Sequence, residues 1–70
     1  MKTYIVVIQD KVYHSIIDVS PFSKFDDAIN YCREEIAKYN EQILDEYNFG
    51  TYTIITNEYK YEIHSCYIKS

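Results

Sequence analysis

The side chains with the most chemical potential are His64 and Cys66, which stand two positions apart. On an extended strand that spacing puts both on one face, so both could reach a single ion. A structural zinc site takes four ligands. The only other obvious donors are His14 and Cys32, and the chain has neither a Cys-x-x-Cys nor a His-x-x-x-His pair. As a nucleophile with its base, Cys66 or Cys32 beside His64 lacks an orienting third group and any sign of an oxyanion hole. Asp26 and Asp27 are adjacent, and adjacent side chains diverge around a helix, so they do not form a carboxylate dyad. A phosphate-cradling loop is excluded as well, because Gly50 is the only glycine. The expectation is a protein with no catalytic residues, no metal and no cofactor.

Seventy residues suffice for one domain. A chain of that length buries only about 60% of its unfolded surface, so its core is small. Hydrophobic residues at 47% and charged residues at 26% are the proportions of a folded globular protein. One Gly and one Pro leave little room for linkers. Two cysteines are too few for a disulfide scaffold. A Cys32–Cys66 bridge is conceivable, but reduced thiols fit better. The apolar run Tyr4–Ile8 is too short for a signal-peptide core or a membrane span. The expected location is therefore cytoplasmic, with no membrane partner. Nine tyrosines and no tryptophan suggest rings that fill a small core while their hydroxyls reach water. The same residues suit a binding surface.

The elements that must position these residues follow from periodicity. Thr3–Ile8 is β-branched and aromatic on both faces, as expected of an internal strand. Gln9–Lys11 reads as a tight turn and Val12–Ile17 as the second strand of a hairpin. Asp18–Phe22, broken by Pro21, reads as a loop. Ser23 is a candidate N-cap, with Asp26 three positions on and Asp27 beside it at the positive end of the helix dipole. Apolar residues then recur at Phe25, Ala28, Ile29, Cys32, Ile36, Tyr39, Ile43 and Tyr47. Those steps of three and four predict one helix from Lys24 to about Tyr47. Such a helix is roughly 35 Å long and would overhang the sheet. Asn48-Phe49-Gly50 is its predicted stop, with Gly50 left-handed. Thr51–Thr56 is the third strand, Asn57-Glu58 a two-residue turn without the usual Gly, and Tyr59–Ile68 the fourth strand. In that strand Tyr59, Tyr61, Ile63, Ser65 and Tyr67 face one way, and Lys60, Glu62, His64, Cys66 and Ile68 the other. The expected fold is α+β, ordered ββαββ, with a four-stranded, mostly antiparallel sheet and one long amphipathic helix on one face. The strand order stays open. Since the first strand is apolar on both faces, some apolar surface is left over, as at an interface.

Charge is concentrated in the predicted helix. Lys24–Asn48 holds seven acids and three bases, which is the whole of the chain's net −4, while the other segments balance. Such a helix face is either simply solvated or an acidic ridge that meets a basic surface, and Glu34, Lys38, Glu41 and Asp45 fall at helical steps on one outer face. The chain has no basic patch and the wrong net sign for DNA or RNA, so direct nucleic-acid binding is not expected. The expected contact surface is Glu34, Glu41, Asp45 and Glu46, with Tyr52, Tyr59 and Tyr61 as anchors. A groove between the helix overhang and the sheet, walled by Tyr, would instead suit a nucleotide or another ring-bearing ligand, with more room in a homodimer.

The opening Met1–Val7, the ββαββ order, the Lys/Ile/Tyr/Asn/Glu-rich vocabulary and the helix-opening stretch Phe22–Cys32 resemble the small acidic proteins of phages and mobile elements from AT-rich Gram-positive hosts. Anti-CRISPR proteins are one such class. The resemblance is one of style across the whole chain and assigns a role to no residue. It implies a non-catalytic inhibitor that binds a host defence or nucleic-acid-handling protein with a basic surface.

Overall fold

The computed structural model describes residues 2–67. Six elements follow one another: β1 (Lys2–Asp10), β2 (Ile16–Phe22), α1 (Phe25–Lys38), β3 (Ile43–Asn48), β4 (Tyr52–Thr56) and β5 (Tyr59–Tyr67). The five strands form one antiparallel sheet in the order β2-β1-β5-β4-β3. The class is α+β as expected, but the order is ββαβββ and the sheet has five strands. Ile68, expected to end the last strand, lies outside the described residues. Among the described residues no helix is long and apolar enough to cross a membrane.

The helix is the main correction. It ends at Lys38 and is about 21 Å long at 1.5 Å per residue, so it does not overhang the sheet. Its stop is built in the backbone. Asn40 takes a left-handed conformation with φ 53°, which Asn tolerates better than most residues. The Asn40 N–H then donates to the Ala37 carbonyl (3.2 Å) and the Glu41 N–H to the Ile36 carbonyl (2.9 Å). This paired closure satisfies carbonyls that the last turn would otherwise leave open. Ile43 and Tyr47 continue the step of four beyond the stop, yet they belong to β3, where alternation rather than helical period sets their direction. At the other end Ser23 is not the cap. Lys24 holds that position with no side-chain bond, and Asp26 and Asp27 fill the first turn.

The hairpin between β1 and β2 is wider than a tight turn at 9–11. Asp10 Oδ1 accepts the Val12 N–H (2.7 Å) and Gln9 Nε2 donates to the His14 carbonyl (2.8 Å), while His14 itself is left-handed. These bonds hold Lys11–Ser15 as a loop, so the second strand starts at Ile16 and runs through Pro21 rather than stopping before it. Proline is tolerated there because β2 is an edge strand. Gly50 is left-handed as expected (φ +86°), but it turns β3 into β4. The Asn57-Glu58 turn forms without glycine because Thr56 Oγ1 accepts the N–H groups of Glu58 and Tyr59. Asn57 also exchanges two hydrogen bonds with Gln42, one from its N–H and one to its side-chain oxygen, tying the helix exit to this turn.

The core lies between the helix and one face of the sheet. Ala28, Cys32 and Ile36, each four residues apart, pack on Val6 and Ile8 of β1, Ile54 of β4, and Tyr61 and Ile63 of β5. Phe25 extends this layer edge-on to Tyr4 and Tyr52. The opposite sheet face carries Ile5 and Val7 beside Val19 and Pro21, with Glu62 and His64 next to them on β5. Val19 is 56% exposed, so the leftover apolar surface expected of an apolar first strand lies here.

Candidate functional site

A cleft lies beside the C-terminal half of the helix. Its floor is one row across three strands: Asp18 of β2 pairs with Ile8 of β1, which pairs with Tyr61 of β5. Tyr59, two residues along β5, extends the floor, because residues two apart in a strand share a face. The wall is one row of the helix and its C-cap: Tyr31, Glu35 and Tyr39, four residues apart and therefore stacked one above another. Together with Ile17, these residues enclose about 290 Å³.

Four tyrosines and two carboxylates line this groove, and none of its lining residues is basic. Asp18 is fixed: its Oδ2 accepts from the Tyr31 hydroxyl and from Ser20 Oγ. That bond raises the Tyr31 pKa above its ordinary value, because ionisation would set two anions against each other. Glu35 is half-buried, and among the described residues its carboxylate has neither a salt bridge nor a side-chain hydrogen bond. Tyr59 meets Tyr61 edge to face, at 6.4 Å between ring centroids. Tyr39 is 60% exposed at the rim, and Lys38 Nζ lies 5.3 Å from its ring centroid. That ring already accepts a cation on its face.

Behind the floor sits a second polar cluster. The Tyr61 hydroxyl donates to Glu41 Oε2 (2.7 Å) and Thr56 Oγ1 donates to Glu41 Oε1 (2.5 Å). Tyr61 is only 2% exposed. Burial, then the bond to Glu41, raises its pKa. On the far side of the helix Glu46 accepts from Arg33 (3.0 Å) and from the Tyr52 hydroxyl. Burial raises the Tyr52 pKa first, and Glu46 adds to it.

The expected ridge of Glu34, Lys38, Glu41 and Asp45 does not exist, because the helix stops before Glu41. Glu34 is exposed on the helix. Glu41 turns inward in the loop after it, and Asp45 and Glu46 lie on edge strand β3. Tyr52 packs on Phe25 and Tyr61 is in the core, so neither is an exposed anchor. Tyr59 and Tyr61 do come together, in the groove. Asp18, Tyr31, Glu35 and Tyr39 were not expected in a site, although the spacing of Tyr31, Glu35 and Tyr39 is a legible helical row. The metal donors do not converge: among the described residues no three His, Cys, Asp or Glu side chains form a metal-holding group. Cys32 is buried on the helix face that meets the sheet, whereas Cys66 is exposed on the opposite sheet face, and both are free.

Comparison of the chain with protein-family models, with curated proteins and with solved structures yields no match.

Proposed function

We propose that this chain is a small, acidic, non-catalytic module that binds a basic surface of another protein. The observation that carries the reading is the groove: tyrosine rings and two carboxylates, with no base among its lining residues. Such a cleft attracts cationic groups. Within this reading the target is a nucleic-acid-handling or defence protein of a host, held stoichiometrically in the manner of a phage inhibitor. Nucleic-acid-handling proteins carry the basic surfaces that an acidic binder complements. The cytoplasm, where such targets work, is the proposed location.

The test is a tagged pull-down from lysate of the source organism or its host, at low and moderate salt, read by mass spectrometry. The expected result is one stoichiometric basic protein that is lost as salt rises, since screening weakens exposed charge pairs. Capture that is indifferent to salt, or no capture at all, overturns the reading. A homodimeric ligand-sequestering protein is the second reading, favoured by the apolar sheet face of Ile5, Val7 and Val19. Light scattering decides it, because a strict monomer removes it. A nucleotide suits the groove poorly, as its phosphates would face Asp18 and Glu35.

A further inference from the structure

We infer that the groove between α1 and the β2-β1-β5 face is a receptor for one guanidinium group, supplied by an arginine side chain of the basic partner. This inference rests on the protein-binding reading above and names the chemistry of its contact.

Size comes first. About 290 Å³ falls at the lower edge of the roughly 300–1,000 Å³ range of small-molecule pockets. The groove therefore fits one side chain better than a nucleotide. Charge comes next. Asp18 on the sheet floor and Glu35 on the helix wall both line the groove, and no lining residue is cationic. Both side-chain hydrogen bonds of Asp18 among the described residues fall on Oδ2, which leaves Oδ1 as an acceptor. Glu35 has no partner of its own there.

The rings decide between cations. Guanidinium is planar, stacks on aromatic faces and offers five donors in a fixed fork. An ammonium is a compact, strongly hydrated point charge that gives up more on leaving water. A site with aromatic side chains on both floor and wall, and carboxylates on both, uses every property of the guanidinium. Tyr39 at the rim already has the Lys38 ammonium against its ring, and Tyr59 lines the groove with it, so both rings are available to a cationic guest.

The test uses the full chain labelled with 15N, titrated separately with N-acetyl-arginine methylamide, its lysine counterpart and its citrulline counterpart. Citrulline keeps the shape of arginine and removes the charge. Saturable shifts at the amides of Asp18, Tyr31, Glu35, Tyr39 and Tyr59 are expected for arginine, weaker ones for lysine and none for citrulline. Glu35→Gln should weaken arginine binding about tenfold, as loss of a charge-assisted bond does. Tyr39→Ala, at an exposed rim position where folding is not at stake, should weaken it about threefold. Shifts that map elsewhere, citrulline matching arginine, or both variants binding like the parent overturn the proposal. Agmatine and a Gly-Gly-Arg-Gly-Gly peptide separate the sources. Tighter binding of agmatine points to a free guanidino compound and also overturns it. No partner protein enters this assay, so its failure leaves the pull-down result standing, and an empty pull-down leaves the titration result standing.

Discussion

Tyr61→Phe removes a single oxygen from the core and should cost more stability than its size suggests. The Tyr61 hydroxyl lies 2.7 Å from Glu41 Oε2, on a side chain 2% exposed. A hydrogen bond to a charged acceptor contributes about 1.5–3 kcal/mol. Glu41 is half-buried and keeps Thr56 as a second donor, so the lower part of that range applies, about 1.5–2 kcal/mol. For a domain of this size each kcal/mol moves Tm by roughly 4–8 °C. The variant should melt roughly 6–16 °C lower, and its urea midpoint should fall with the slope unchanged.

Glu41→Gln should be destabilising in the same way. The two hydroxyls donate to different oxygens, and the amide puts an NH2 donor where one of them stands, so one hydroxyl must turn round or lose its acceptor. The double variant should lose less than the two singles together, with a coupling of about 1 kcal/mol. Additivity within about 0.5 kcal/mol would refute the bond. A Glu41→Gln protein that melts like the parent but binds its partner poorly would refute the structural role of Glu41, and return it to a contact surface.

Three further outcomes follow from the same geometry. Asn40→Ala should cost less than about 1 kcal/mol, because both residues carry a Cβ and only the short polar side chain of Asn eases the left-handed backbone at φ 53°, whereas Asn40→Gly, which has no Cβ, should be neutral or slightly stabilising; circular-dichroism melts of the pair check the helix stop. A thiol reagent at pH 8 should modify only the exposed Cys66 in the native protein and both cysteines in urea. Cys32 is fully buried and its thiol is pushed up to about 12 by burial, so two fast native reactions would contradict the packing. Stability should also fall in alkali. The native state holds protons on Cys32, Tyr31, Tyr52 and Tyr61 more tightly than the unfolded chain does. Their contribution is complete below about pH 9, where both states are protonated, and is lost as pH rises through 9–12. A urea midpoint unchanged from pH 8 to 11 would reject this.

Much of the fold is legible where pattern and burial agree. The inner stripe Phe25, Ala28, Ile29, Cys32, Ile36 is the face that packs, and the alternation of β5 puts Tyr61 and Ile63 inward. β3 was not legible because Ile43 and Tyr47 prolong a step of four, while their spacing of four is equally compatible with one face of a strand. The deciding event, two backbone bonds around Asn40, leaves no mark on hydrophobic pattern. The second strand was expected over Val12–Ile17, but its true extent, Ile16–Phe22, was misplaced because Pro21 argues against a central strand and says little about an edge. The groove draws on β1, β2, β5 and α1 at once. Only its helical row can be read locally, and Asp18 joins it through the register with Ile8.

Acids that are equivalent in the sequence are thus sorted by the fold. Glu41 is engaged by two hydroxyls, Glu46 by Arg33 and Tyr52, and Asp45 by the Glu46 N–H. Glu34 stands exposed on the helix, and Glu35 lines the groove half-buried and unpaired among the described residues. A net charge of −4 therefore overstates what a partner meets at close range. The distant field depends on the sum and steers encounter, whereas short-range recognition depends on carboxylates that the fold leaves without donors. Neutralising Glu41 or Glu46 should then act through stability. Neutralising Glu34 should mainly slow association, and neutralising Glu35 should mainly speed dissociation, since an exposed rim charge alters the on-rate and a desolvated contact alters the off-rate. Association and dissociation rates of these single variants, measured against whichever partner the pull-down yields, separate the three roles. Equal effects of all four on the on-rate alone would mean that the groove takes no part in recognition.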